Sequence, residues 1–463
     1  MAKENVTRAL RLATETNYLL IGENILHRIP AIFREQFPNK KAIIIADPIT
    51  YQVAGKEVHD YLNKEGLLAA EPFLLTSPDL YADYCYVTRI IERLRAIDAV
   101  AIAVGSGVIN DLTKRANSEL DRKYMCVATA ASMDGYTAYA ASITKDGAKM
   151  SMACPAPYAV VADIDIIRRA PRRMTASGYG DLYAKIISGA DWILADALGI
   201  EPIDQVSWHI VQDGLPSALG NPEGVGAGEK QAIEDLTEGL MLGGFAIQSL
   251  RSSRPASGSE HNFSHLWDME HHTFKGEMAQ KYGLYPNQDE QFPSHGFKVG
   301  IGVLTMTALY ERIFETPMQS IDIEKAVAGW KPLEEQIADV RQTFKGTDIE
   351  AFAVGQVTEK YVPREEVAKQ LLIVKNNWPE IKARLQQQVI PYKETLRRFK
   401  CVGAPVECEE IGISRERLKA SFKKNQKIRN RFTVLDFALR TGYLDQWMDE
   451  LFNEGGALSK PNN

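Results

Sequence analysis

The sequence predicts two domains: an α/β domain with a doubly wound parallel sheet over residues 1–168, and an all-α domain over residues 169–463. Three observations carry this reading. The first third alternates short, continuous apolar runs with segments of helical spacing. After Arg168 the β-branched runs fade and long helical patterns take over. A chain of 463 residues is also longer than one hydrophobic core organises.

The strands come in order. Lys41 to Ala46 is an apolar run closed by Asp47 and Pro48, as expected of a buried parallel strand and its loop. Val53 to Glu65 has helical spacing. Asp98 to Val104 is a second buried strand, closed by Gly105, Ser106 and Gly107, with a helix from Val108 to Glu119 directly after it. Tyr124 to Ala128 is a third strand, ending at Thr129. Lys145 to Lys149 carries a hairpin-turn signal, and Ala159 to Ala162 makes one more strand. In the second part, Gly180 to Leu194, Leu236 to Leu250 and Val367 to Phe399 read as helical. Pro379 and Pro391 are each expected to end or kink a helix unless they sit in a first turn. The tail from Asn453 is polar and expected to fray.

Composition narrows the function classes. The chain is 45% hydrophobic and 25% charged, which supports a packed core rather than disorder. Its net charge of -6 lacks the basic excess of a nucleic-acid binder. Five scattered cysteines with no Cys-x-x-Cys pair suit reduced thiols in the cytoplasm. The first twenty residues lack the pattern of a signal peptide, and no apolar stretch reaches membrane-spanning length.

Three segments sit where a parallel sheet binds ligands, at the carboxyl ends of strands. Gly105, Ser106, Gly107, Val108 and Ile109 form a strand-to-helix turn that can bring backbone close to a pyrophosphate at a helix start. It also reads as a plain tight turn, because the full Gly-x-Gly-x-x-Gly spacing is missing. Asp47 can accept hydrogen bonds from ribose hydroxyls, which favours NAD over NADP, or it can simply cap a helix. Thr129 to Ser132 suits a ligand crevice or an ordinary turn.

Five of the eight histidines fall between His261 and His295. His261 and His265 are four apart and share a helix face. His295 opens the next segment, and Asp181 lies in a helical run. One carboxylate and two imidazoles suit a divalent metal with an open position, although a histidine pair at helical spacing also occurs without metal. His271 and His272 read as surface or loop residues.

Taken together, Gly105 to Asp111, Thr129 to Gly135, Gly180 to Lys185, Arg254 to His261, His265 and His295 with Gly296 resemble the sn-glycerol-1-phosphate dehydrogenase family. That family is similar to the iron-containing alcohol dehydrogenases and glycerol dehydrogenases and shares the dehydroquinate synthase-like fold. The matching segments keep the family's order across about residues 40 to 305. The resemblance implies a metal-dependent oxidoreductase that interconverts dihydroxyacetone phosphate and sn-glycerol 1-phosphate with NAD or NADP. It implies Asp181, His261 and His295 as ligands of one divalent metal, zinc first, with nickel or iron as alternatives. Asp134, Asp181 and His265 match substrate-contacting, catalytic positions. Asp47, Gly105, Ser106, Gly107, Val108, Ile109, Thr129 and Ser132 match dinucleotide-binding positions. The expected partner is a small phosphorylated substrate, with no nucleic acid and no membrane span, in a cytoplasmic homo-oligomer of two or more chains.

The sequence departs from the family in four places. Ser106 replaces the middle glycine of the usual triplet, and Ala138 stands where a serine often contacts the cofactor. The stretch from His261 to His295 is long, as if an insertion carried His271 and His272. The C-terminus runs well beyond the family core. A cyclising lyase like dehydroquinate synthase, a polyol dehydrogenase acting on glycerol, and a non-catalytic binding relative are the alternative readings. Arg254, Lys275 and Lys298 are the candidate partners for a substrate phosphate.

Overall fold

The computed structural model describes residues 2–77, 80–145, 148–283, 285 and 288–460. Its strands are β1 (Tyr18–Gly22), β2 (Ala42–Ala46), β3 (Phe73–Leu74), β4 (Val100–Gly105), β5 (Met125–Ala128), β6 (Ala141–Lys145), β7 (Ala148–Met152), β8 (Ala159–Asp163), β9 (Phe274–Lys275) and β10 (Glu290–Gln291). Six of them form one parallel sheet in the order β1-β8-β5-β4-β2-β3. The four apolar runs read from the sequence are its buried centre: β2, β4, β5 and β8 are buried at every residue.

Alternation assigns their two faces. Ile44, Ile102, Val104, Val127 and Val161 share a core with Ile29, Ile32, Phe33, Val58 and Leu62. Their neighbours Ile43, Ile45, Ala103, Cys126 and Val160 are buried as well. A strand buried on both faces has no polar side, which is why these segments read as unbroken apolar runs. The edge strands lack that signature. β1 is half-buried throughout, and β3 is two residues long. β6 and β7 form a separate antiparallel pair. The expected turn between them falls on residues 146–147, outside the described residues.

The described residues pack as two units. The first takes residues 1–182, 205–256 and 401–403, and the second takes 183–204, 257–400 and 404–463. The Lys230–Leu250 helix belongs to the first unit although the sequence around it is wholly helical. Its buried Gln248 explains the attachment. The side chain donates to Thr16 Oγ1 at 3.0 Å and to the Thr137 carbonyl at 2.9 Å, and accepts from the Glu15 N–H at 2.9 Å.

The second unit is helical apart from the two-residue ribbon of β9 and β10. The Arg364–Gln388 helix runs through Pro379 instead of ending there. An interior proline costs roughly 3 kcal/mol. Trp378 and Leu385 are buried on either side of it, and each such side chain stabilises by about 1.5–3 kcal/mol. Burial therefore outweighs the lost hydrogen bond. Pro391 immediately precedes the Tyr392–Val402 helix, where its missing N–H costs nothing. Among the described residues no helix is long and apolar enough to cross a membrane.

All five cysteines are free, and Cys126, Cys154 and Cys408 are buried. Burial pushes the Cys126 thiol up to about 12 and the Cys154 thiol up to about 11. Thiolate is the reactive form. A disulfide reagent at pH 8 should therefore modify no more than two thiols per native chain, Cys85 and Cys401. Rapid reaction of four or five without denaturant would contradict this packing.

Candidate functional site

In the first unit the three predicted ligand-facing segments leave the sheet on one side. β2, β4 and β5 are adjacent and parallel, so Asp47, Gly105 to Ile109, and Thr129 to Ser132 all follow carboxyl ends of neighbouring strands. From β2 the chain passes to β3 at one edge, while β4, β5 and β8 extend the other way. This is the switch point at which open α/β sheets bind ligands.

Neither Gly105 nor Gly107 has positive φ, so packing rather than backbone dihedrals selects glycine here, strictly at Gly105 and more loosely at Gly107, which faces the flexible tip of Met133. A Cβ on Gly105 would lie 2.5 Å from Ile109 Cβ, and one on Gly107 would lie 3.0 Å from Met133 Cε. Ser106 is the N-cap of the Gly107–Glu119 helix, but its side chain makes no capping hydrogen bond. Asp47 does cap. Its Oδ1 accepts from the N–H groups of Ile49 (2.8 Å) and Thr50 (2.9 Å), and its Oδ2 accepts from Thr50 Oγ1 at 2.9 Å. A carboxylate has about four lone-pair sites, so capping leaves room for a ribose hydroxyl.

The loop from Thr129 to Ala140 is held from several directions. The Thr129 N–H donates to the Gly105 carbonyl at 3.1 Å, which ties the loop to the glycine turn. Fully buried Lys114 donates to the carbonyls of Gly135 (2.8 Å), Ala138 (2.9 Å) and Ala140 (2.9 Å). Two helices press against the loop through glycines. A Cβ on Gly178 would lie 2.0 Å from the Ala131 carbonyl oxygen, and one on Gly244 would lie 2.6 Å from the Asp134 carbonyl oxygen. Sequence reading missed Lys114, because a lysine in an amphipathic helix looks like a surface charge.

Asp181 lies on the Arg172–Ala197 helix, within which the two packing units divide. Its Oδ2 accepts the Asp134 backbone N–H at 3.0 Å. Asp134 thus meets Asp181 through its backbone. His261 and His265 lie on the Ser259–Met269 helix, and His295 is the first residue of the His295–Glu315 helix. Gly302 allows these two helices to touch, since a Cβ there would lie 2.2 Å from the Glu260 carbonyl oxygen. The ring centroids of His261 and His295 are 5.3 Å apart.

Asp181, His261 and His295 each present one ligand-capable atom, and these atoms all lie within 4.8 Å of one another. Asp181 and His261 are buried, and His295 is half-buried. His265 is not part of the group, although its ring centroid is 6.2 Å from that of His261. Burial and the Arg429 charge hold His265 well below the usual histidine range, so it is neutral at pH 7.

The donor set fits a divalent ion. His261 Nδ1 lies 2.7 Å from Glu260 Oε1, which the Gly258 N–H also reaches at 2.8 Å. His295 Nδ1 lies 3.1 Å from Ser264 Oγ. Each ring therefore has its Nδ1 side held by a neighbour, the arrangement found where an imidazole ligates a metal through Nε2. One oxygen and two imidazole nitrogens match hard-to-borderline divalent metals. Glu260 and Ser264 were not singled out from the sequence, where a side chain beside a histidine has no distinctive spacing.

The other two clustered histidines do different work. His272 is buried, not a surface residue. Its Nε2 donates to the Ile411 carbonyl at 2.7 Å, and its Nδ1 accepts from Arg417 Nη1 at 2.8 Å. Burial lowers its basicity, in keeping with this neutral tautomer. His271 has φ of 51° at the turn after the helix.

Comparison with known proteins agrees with this architecture. The family model described as iron-containing alcohol dehydrogenase matches residues 20–171. A glycerol-1-phosphate dehydrogenase [NAD(P)+] of Halalkalibacterium halodurans is 32% identical over 302 residues, 64% of this chain and 71% of that protein. The chain belongs to the glycerol-1-phosphate dehydrogenase family. A relative of the same name from Geobacillus thermodenitrificans is 28% identical over 423 residues, 90% of this chain and 91% of its own length. The similarity thus reaches far into the C-terminal part that the motif resemblance left uncovered. Among solved structures, glycerol dehydrogenase from Schizosaccharomyces pombe matches with a TM-score of 0.57 at 15% identity, over 94% of this chain and 91% of that one. The fold is therefore the dehydroquinate synthase-like arrangement that the resemblance implied.

The Glu260–His261 contact gives a direct expectation. Carboxylates that hold the far nitrogen of a metal-ligating imidazole change metal affinity by roughly 10–100-fold. Glu260→Gln keeps an oxygen acceptor but removes the charge, so its affinity for Zn2+ should fall about tenfold. Competition against a chromogenic chelator measures this, and unchanged affinity would exclude Glu260 from any metal role.

Proposed function

We propose that this chain is a glycerol-1-phosphate dehydrogenase that interconverts dihydroxyacetone phosphate and sn-glycerol 1-phosphate. It would use NAD or NADP and one divalent metal held by Asp181, His261 and His295. The observation that carries the proposal is the grouping of those three side chains, in a chain whose relatives bear that enzyme's name. Zinc is the proposed metal, because an oxygen and two nitrogens with an open position is a common catalytic zinc set.

When bound, the metal supplies Lewis acidity toward the substrate's C2 oxygen and the nicotinamide supplies or accepts the hydride. The protein's own residues do the rest. Glu260 and Ser264 fix the two imidazole rings, and the Asp134 N–H orients the carboxylate of Asp181. Preorganised ligands of this kind need no rearrangement during turnover. Neutral His265, one helical turn from His261, can donate or accept a proton at the substrate oxygen through water. The Gly105–Ile109 turn would hold the pyrophosphate, with Thr129 and Ser132 beside it. Asp47 would take the adenosine ribose with the lone pairs its cap leaves over.

The decisive assay follows absorbance at 340 nm with purified protein, dihydroxyacetone phosphate and NADH or NADPH. One nicotinamide should be oxidised per product formed, and the product should be the sn-1 enantiomer. A lyase with transient oxidation would show no net absorbance change, and a polyol dehydrogenase would prefer glycerol. Asp181→Ala should lose metal and at least a thousandfold in turnover together, as expected when about 4 kcal/mol or more of transition-state stabilisation is removed. Full activity in metal-free Asp181→Ala protein would end the proposal.

A further inference from the structure

The helix that carries His261 and His265 begins without a cap of its own. Its N-cap residue is Gly258, which has no side chain to accept the first free N–H groups. The cap comes from elsewhere in the chain. Asp191 Oδ2 accepts the N–H of Ser259, the first residue of that helix, at 2.7 Å. Glycine at position 258 admits it, since a Cβ there would lie 2.6 Å from Asp191 Oδ2. A local cap is thus given up for a carboxylate brought in by another helix, at the end where the helix dipole favours negative charge.

Asp191 is wholly buried. It lies on the Arg172–Ala197 helix, which also bears Asp181, in the part of that helix that belongs to the second unit. Its Oδ1 accepts from the Tyr310 hydroxyl at 2.7 Å and from the Val434 N–H at 3.0 Å. Tyr310 lies on the His295–Glu315 helix. One side chain on the Asp181 helix therefore bonds to both helices that carry the histidine ligands. Toward the other end of the His261 helix, Lys298, read from the sequence as a candidate phosphate partner, pairs with Asp268 and ties the same two helices together. Neither Asp191 nor Tyr310 belongs to the ligand group itself.

We propose that Asp191 is a positioning residue of the metal centre. By fixing the start of the His261 helix and gripping the His295 helix, it sets where the two imidazoles stand and so how tightly the metal is held. The inference rests on the metal reading above. An apolar junction would join these helices without the cost of burying a carboxylate, so its use here serves geometry. Ser259 is two residues from His261, and a shift of the helix start moves that ring directly. Tyr310 is roughly four turns from His295, so its bond should weigh less.

The test titrates full-length protein with Zn2+ against a chromogenic chelator and measures Tm on the same samples. Asp191→Asn conserves size, yet whichever way its amide turns, the NH2 group faces a backbone N–H, that of Ser259 or that of Val434. Its Zn2+ affinity should fall about tenfold, the lower end for groups that orient a ligating imidazole. Tyr310→Phe removes one hydroxyl and should lower affinity about threefold. The visible spectrum of bound Co2+, which reports ligand geometry, should change in both. Val357→Ala, a core change on the Ile349–Lys360 helix, should lower Tm and leave affinity and spectrum as they are. Wild-type affinity and spectrum in folded Asp191→Asn would overturn the assignment, as they would in Tyr310→Phe should the first variant not fold. An equal loss of affinity in Val357→Ala would overturn it too, by showing that affinity merely follows stability. A wild type that binds no Zn2+ would instead sink the metal reading.

Discussion

Everything in this enzyme turns on a crowding problem at one point. A carboxylate and two imidazoles, with Asp181 and His261 buried, present their ligand atoms within 4.8 Å of one another. Withdrawing such groups from water costs several kcal/mol unless something compensates. The chain spends additional polar groups to hold them there: Glu260 behind His261, Ser264 behind His295 and the Asp134 amide on Asp181. A divalent cation would offset that cost, because it would engage all three donors at once.

Within each unit, close packing positions these donors. Gly302 lets the two histidine-bearing helices approach until backbone nearly meets backbone. Gly178 does the same for the helix that carries Asp181, against the loop at Ala131. Lys114 then fixes the other side of that loop through three carbonyls. The same loop begins at Thr129, which is bonded to the glycine turn of the sheet. The loop therefore joins the glycine turn of the sheet to Asp134, whose N–H holds the carboxylate of Asp181 on its helix.

Much of this was legible in the sequence, for physical reasons that differ by element. Central parallel strands are buried on both faces, so β2, β4, β5 and β8 announced themselves as apolar runs. The edge strand β1 did not, since its residues are only half-buried and its pattern is ambiguous. Pro379 was misleading, because packing of Trp378 and Leu385 overrode a local rule. The His261–His265 spacing showed a helix face, and the family resemblance drew Asp181 and His295 to it. Histidine clustering alone could not sort His272 from a ligand. Only the contacts from Arg417 and Ile411 reveal it as a buried structural residue. Ser264 and Lys114 were invisible because their partners are set by tertiary approach, which no spacing along the chain records, and Glu260 because a carboxylate beside a histidine has no distinctive spacing.

The central claim can be tested without any assay. Anomalous diffraction from crystals of the purified protein, collected across the zinc, nickel and iron absorption edges, locates and identifies a bound ion. The expected result is one strong peak per chain, about 2.0–2.2 Å from an Asp181 oxygen and from one nitrogen each of His261 and His295. A metal-replete crystal with no peak at those three side chains, or with its only peak elsewhere, would contradict the account.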